Sequence, residues 1–177
     1  MGDFIAGRVR YLRTWPTRRQ WLETLLVFAL YAGLVLALGL GSGFFRPGWL
    51  LAPAWVMCLL PISLWVVPSL LEETIFRGLL IPPRQKRRQP DIFYLIGSTV
   101  LFVVWHPLNA LICYPPARAV FYDPVFLTIV AGMGIACGAL TLRSQSLWPA
   151  VFIHWASIVI WVFALGGRNI LLDGVTG

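Results

Sequence analysis

Residues 49–81 read WLLAPAWVMCLLPISLWVVPSLLEETIFRGLLI, 33 positions in which only Glu72, Glu73 and Arg77 are charged. About 20 apolar residues suffice for a helix to cross a hydrocarbon core roughly 30 Å thick, so the tract is too long for one straight span. Pro61 and Pro68 interrupt it. Each removes a backbone donor and kinks or stops a helix. The tract therefore predicts two segments, one crossing plus a bent or re-entrant helix that carries the three charges.

Outward from this tract, the chain holds four further apolar stretches: Trp21 to Leu40, Ile92 to about Ile112, Val125 to about Leu142, and Leu147 to about Gly166. Each is close to the length of one crossing. Thr17 followed three residues later by Gln20 fits a capping box and starts the first helix near Arg18. Gly134 and Gly138 form a small-xxx-small pair that lets a neighbouring helix approach, read here as bundle packing. The expectation is an all-α polytopic transmembrane helical bundle of about five crossings plus the bent or re-entrant helix. Its parts are a basic cytoplasmic segment at 1–20, a single transmembrane domain at 21–166 and a short tail at 167–177.

Composition agrees. Hydrophobic residues make up 59% and charged residues 12%, whereas an ordinary soluble domain is about 45–50% apolar and about 25% charged. A soluble globule, a disordered chain and a free nucleic-acid binder are excluded. The net charge of +7 comes from Lys and Arg flanking apolar runs, where they act as topology signals and contacts to anionic lipid. No small-residue cleavage site follows a short apolar core, so the first helix is expected to be an uncleaved anchor. Cys58, Cys113 and Cys137 have no paired spacing and read as free thiols.

The same basic residues orient the chain. With the N-terminus inside, ten Lys and Arg lie on the inner side: Arg8, Arg10, Arg13, Arg18, Arg19, Arg84, Lys86, Arg87, Arg88 and Arg143. Only Arg46, Arg118 and Arg168 lie outside. Cytoplasmic loops retain Lys and Arg, so an integral protein of the cell (inner) membrane with a cytoplasmic N-terminus is expected.

Five ionisable side chains lie within apolar tracts: Glu72, Glu73, Arg77, His106 and His154. Each costs about 2.5–3.5 kcal/mol on insertion scales, so each calls for a partner, a water-filled cavity or a function. Glu73 and Arg77 are four apart and share a helix face, in the favourable order for an ion pair. Glu72 is turned about 100° away and has no partner in its own helix. A glutamate with two histidines from other helices allows two chemistries. Glu72 can activate water while histidines stabilise an oxyanion, or Glu72, His106 and His154 can ligate zinc with one position open. No HExxH, GxSxG, P-loop or dinucleotide fingerprint is present.

Three motifs then coincide. Glu72-Glu73-Thr-Ile-Phe-Arg77 matches EExxxR, Phe102-Val-Val-Trp-His106 matches FxxxH, and SLWPAVFIHW ends in His154 and Trp155. In order and separation these resemble the CPBP family of intramembrane proteases, which comprises CAAX-processing endopeptidases and bacteriocin-processing and immunity relatives. The resemblance covers about residues 68–160. It implies a catalytic core there and peptide-bond hydrolysis within the membrane, with Glu72 deprotonating the attacking water beside Glu73, Arg77, His106 and His154. It also implies a membrane-embedded or lipidated peptide substrate, the lipid bilayer as surroundings, and no nucleic-acid partner. The expected cofactor set is none, with zinc as the alternative. The family commonly has an asparagine four residues after the last histidine, where this chain has Ile158, so Asn109 and Ser157 are the candidate oxyanion or substrate groups. Phe76, one turn from Glu72, is expected to line the same cavity, and the site to sit below mid-membrane on the cytoplasmic side. The competing readings are a non-catalytic membrane binding or immunity protein with this fold, and a proton or ion transporter, since intramembrane Glu and His also relay protons.

Overall fold

The computed structural model describes residues 10–167. Arg8, Arg168 and most of the 167–177 tail therefore lie outside the described residues. Helix α1, Arg18–Gly41, starts at the capping box: Gln20 N–H donates to Thr17 Oγ1 at 3.3 Å and Thr17 N–H to Gln20 Oε1 at 2.8 Å. Leu22, Leu26, Leu30 and Leu34 are exposed along it. So large an uncovered apolar face is what lipid contact requires.

The long tract forms one bent element. Helix α2, Ala54–Leu64, passes through Pro61 without stopping and opens into a wider π-type segment, Trp65–Leu70. The backbone breaks inside that segment at Val67 (φ −129°, ψ 119°), just before Pro68. One α turn follows, α3 at Leu71–Glu73, and then a second π-type segment, Thr74–Leu79. Of the two prolines, Pro68 marks the break, while the Pro61 carbonyl accepts a 2.8 Å hydrogen bond from Trp155 Nε1.

Helix α4 spans Asp91–Ile112, and after a short turn and α5, Arg118–Phe121, comes α6, Pro124–Ser144. Asp123 caps α6 by accepting from Val125 N–H at 2.7 Å and Phe126 N–H at 3.2 Å. Helix α7, Trp148–Ala164, ends about two residues before the expected boundary. Helix α6 is the most enclosed, packed by α4, α7 and α1. A Cβ on Gly134 would stand 2.7 Å from Thr99 Cγ2, and one on Gly138 2.6 Å from Leu95 Cδ1, so the glycine pair is where α4 crosses closely.

Among the described residues no strand forms, but residues 46–50 run extended along the end of α7. Arg46, Gly48 and Leu50 N–H donate to the carbonyls of Leu165, Ala164 and Phe163 at 3.2, 3.0 and 2.9 Å. Gly166 (φ +76°) allows this strap, because a Cβ there would come 2.7 Å from Arg46 O.

Among the described residues four helical stretches are long and apolar enough to cross a membrane, and α7 is a shorter apolar fifth. The protein is an all-α integral membrane bundle. The loop after the bent element, the α6–α7 turn and residues 10–17 meet at one end. There Tyr11 is buried and its hydroxyl donates to Pro82 O at 3.0 Å, Ser146 Oγ to Thr14 O at 2.6 Å, and Trp148 Nε1 to Leu12 O at 3.0 Å. The start of the chain, read from sequence as a polar segment, thus holds a helical turn at residues 10–13 that is docked into this end. Cys58, Cys113 and Cys137 are free.

Candidate active site

The bend at Val67 re-aims the helix that follows, so that Glu72 and Glu73 point to different places. Glu73 and Arg77 are completely buried and joined by a 2.9 Å hydrogen-bonded ion pair, Arg77 Nη1 donating to Glu73 Oε1. Arg77 Nη2 donates to Gly134 O at 3.2 Å, and the guanidinium lies 4.2 Å above the centre of the Phe102 ring. A buried charge demands such saturation, because water is not available to solvate it.

Glu73 has a second partner that the sequence did not reveal. Its Oε1 also meets His154 Nδ1 at 2.8 Å. A carboxylate only accepts, so Nδ1 carries the proton and, in the neutral ring, Nε2 is left as an acceptor. That Nε2 lies 3.9 Å from Glu72 Oε2. Glu72 itself is held through its other oxygen, which accepts from Trp105 Nε1 at 3.0 Å. Its Oε2 is buried without a hydrogen-bond partner. Two hydrogen bonds of about 2.8 Å meeting near a right angle span about 4 Å, the separation of Glu72 Oε2 and His154 Nε2.

His106 sits further along, one turn beyond Phe102. Its Nδ1 donates to Phe102 O at 2.9 Å, which again leaves Nε2 as an acceptor in the neutral ring. Phe102 stands between the two histidines, its ring centroid 5.0 Å from His106 and 5.6 Å from His154, and Phe121 and Phe126 box the His106 ring at 5.2 and 5.4 Å. Both histidines are buried inside the bundle, away from lipid. Although His106 is fifteen residues into α4 and His154 only six into α7, Phe102 touches both rings, so the two histidines stand at neighbouring levels of the bundle.

A cavity of about 390 Å³ joins these groups. Glu72, His106, His154, Asn109 and Ser157 all line it, as does Ile158. Ser157 commits its hydroxyl proton to Ile153 O at 2.7 Å, whereas no such bond occupies the Asn109 side chain. Phe76 does not line the cavity. It turns instead onto Phe102, 5.2 Å away, because the wider turns of Thr74–Leu79 shift the helical phase beyond Glu73. Trp105 has no assigned role in the sequence reading. Its signal was an indole N–H in an apolar span, a group that must find an acceptor when buried.

Glu72, His106 and His154 are the natural trio for zinc, and their arrangement does not suit it. Among the described residues no three His, Cys, Asp or Glu side chains are grouped to hold a metal ion. Each histidine keeps Nε2 free, as a ligand would, but Phe102 stands between the two rings. What the geometry offers is a buried carboxylate oxygen facing a histidine acceptor across a water-sized gap.

No curated protein and no solved structure matches the chain. A family model described as type II CAAX prenyl endopeptidase Rce1-like matches residues 53–160, more than half of the chain, a range that includes Glu72, Glu73, Arg77, Trp105, His106, Asn109, His154 and Ser157. The chain belongs to the Rce1-like type II CAAX prenyl endopeptidase family.

Proposed function

We propose that the protein hydrolyses peptide bonds of membrane-embedded or lipidated peptides by a glutamate-activated water. The family is one of intramembrane endopeptidases acting on membrane-associated substrates. The assignment of roles is drawn from the residues of this chain. The observation that carries it is Glu72 Oε2, a buried carboxylate oxygen without a partner, 3.9 Å from His154 Nε2 and opening on the cavity.

Water donating to Glu72 Oε2 and His154 Nε2 presents its lone pair to the scissile carbonyl carbon. As Glu72 takes one proton, the new C–O bond forms and the carbonyl pair moves onto oxygen. Collapse of that oxyanion breaks the C–N bond, and the proton held by Glu72 passes to the leaving nitrogen. The products are a carboxylic acid and an amine, which settle as a carboxylate and an ammonium. Glu73 positions the His154 ring, and Arg77 fixes Glu73. Asn109 offers its amide N–H to the oxyanion, taking the part for which Ile158 has no donor. His106, an acceptor in its neutral form, orients the substrate N–H. No metal ion takes part, and ten inner Lys and Arg against three outer ones put the N-terminus on the cytoplasmic side of the cell (inner) membrane.

The test is cleavage of a membrane-peptide library by the purified protein in liposomes, beside Glu72→Gln. General-base catalysis contributes about 10²–10⁴-fold, so the variant should lose at least about 100-fold while its thermal unfolding stays where it was. A Glu72→Gln protein as active as wild type would remove the proposal.

A further inference from the structure

The cavity is one-sided. Counted away from the end where residues 10–17, the 80–90 loop and the α6–α7 turn meet, its wall is built only from the level of Glu72 outward. Helix α1 contributes positions between 28 and 36, the bent element between 64 and 72, and α4 between 102 and 109. The α6 share lies between 126 and 133, at that helix's far half, and the α7 share runs from 154 to its far end. Phe44, Phe45, Tyr114 and Phe121 add loops and a short helix of the far end.

Beneath the floor the described residues form a filled layer. Glu73, Arg77, Ile81, Thr141, Leu147 and Val151 are all at 0% exposure. Tyr11, itself buried, closes the layer below with Leu147 and Val151. The wall's exposed members are Leu36, Tyr114 and Ile160, all in the far third of the bundle.

The two ends differ in charge. The closed end carries Arg10, Arg13, Arg84, Lys86, Arg88 and Arg143, and the open end carries Arg46 and Arg118. By the retention of basic loops in the cytoplasm, the closed end is cytoplasmic. We infer that the active-site cavity is entered from the extracytoplasmic half of the bilayer, and that its substrate is a membrane-anchored peptide with an apolar stretch beside the scissile bond, presented on that side. This rests on the protease reading given above, and it sets the entry on the opposite side of the bilayer from the half in which the site is expected to sit. The largely apolar, aromatic-rich wall stabilises an apolar segment in proportion to the area it buries, while the few polar groups at the floor fix the bond to be cut.

The experiment uses sealed proteoliposomes sorted by orientation. In a Cys58→Ser background, a membrane-impermeant biotin-maleimide captures through native Cys113 the vesicles whose open end faces out. A Cys58→Ser/Cys113→Ser/Arg88→Cys protein captures those with the basic end out. The same reagent on intact cells should label Cys113 and leave Arg88→Cys unlabelled. The probe is an internally quenched apolar peptide bearing an acyl anchor and a charged, impermeant tail, added outside the vesicles. The Cys113-captured pool should cleave it at least tenfold faster than the Arg88→Cys pool, with activity lost in Glu72→Gln. Equal rates, faster cleavage from the Arg88→Cys side, or labelling of Arg88→Cys in intact cells would overturn the entry side and leave the protease reading standing. No cleavage by either pool, with wild type indistinguishable from Glu72→Gln, would remove both.

Discussion

Trp105→Phe isolates one bond of the site. Trp105 Nε1 donates to Glu72 Oε1 at 3.0 Å, and the ring packs near Phe76 with centroids 6.5 Å apart. Phenylalanine preserves most of that aromatic contact and deletes the N–H. A hydrogen bond to a charged group contributes about 1.5–3 kcal/mol, and the Glu72 side chain is only 12% exposed, so water cannot replace the lost donor cheaply. At about 1.4 kcal/mol per decade, that predicts roughly a 10- to 150-fold loss of activity. Because the indole does not line the cavity, the loss belongs in kcat, with KM unchanged. Steady-state cleavage of a quenched peptide in liposomes measures both parameters. Thermal unfolding of the same preparation shows that the protein is folded. A kcat within twofold of wild type, or a rise confined to KM, would refute the view that Trp105 holds the reacting carboxylate.

The remaining expectations concern roles and packing. Glu72→Gln should be folded and inactive, whereas Glu73→Gln, which strands the buried Arg77 charge, should lose about 3–5 kcal/mol of stability in detergent denaturation; a stable, inactive Glu73→Gln beside an active Glu72→Gln would exchange the two roles. Arg77→Leu should be destabilised by a similar amount, since Glu73 would keep only His154, and an unfolding midpoint equal to wild type would count against the ion pair as the helix's anchor. Gly134→Ala should cost more than Gly138→Ala, on the order of 1–3 kcal/mol, because the first meets the stiff β-branched Thr99 and the second only the mobile tip of Leu95; chemical denaturation ranks them. Cleavage should survive EDTA and phenanthroline with well under one zinc per chain by metal analysis, and zinc whose removal and return switch activity off and on would reinstate the ligand reading.

Helix positions were legible because apolar run length and flanking punctuation carry them: the capping box at Thr17 is a local signal. The Glu73–Arg77 pair was also readable, being an i,i+4 relation inside one helix. The Glu73–His154 contact was not, since it depends on how α7 is rotated against the bent element, 81 residues away in sequence. The Phe76 expectation failed for a local reason. It assumed 3.6 residues per turn, and no residue type in TIFRGL announces the wider turns found there. The depth of the cavity depended on which helix halves splay, and run lengths alone do not carry that information.

The strap along the end of α7 has a consequence for the supply of water. Helix α7 has 17 residues, about 26 Å, which is less than the roughly 30 Å of hydrocarbon it sits in. A free helix end at that depth would leave carbonyls unpaired in lipid, at several kcal/mol for each such group. Arg46, Gly48 and Leu50 N–H take those carbonyls, so the helix can stop short of the headgroups. Lipid packed against so short an element thins to match it. From His154 to Ala164 is ten residues, about 15 Å. Thinning to match α7 therefore takes about 4 Å off the path between bulk solvent and the floor of the site, and every turnover consumes one molecule that must make that journey.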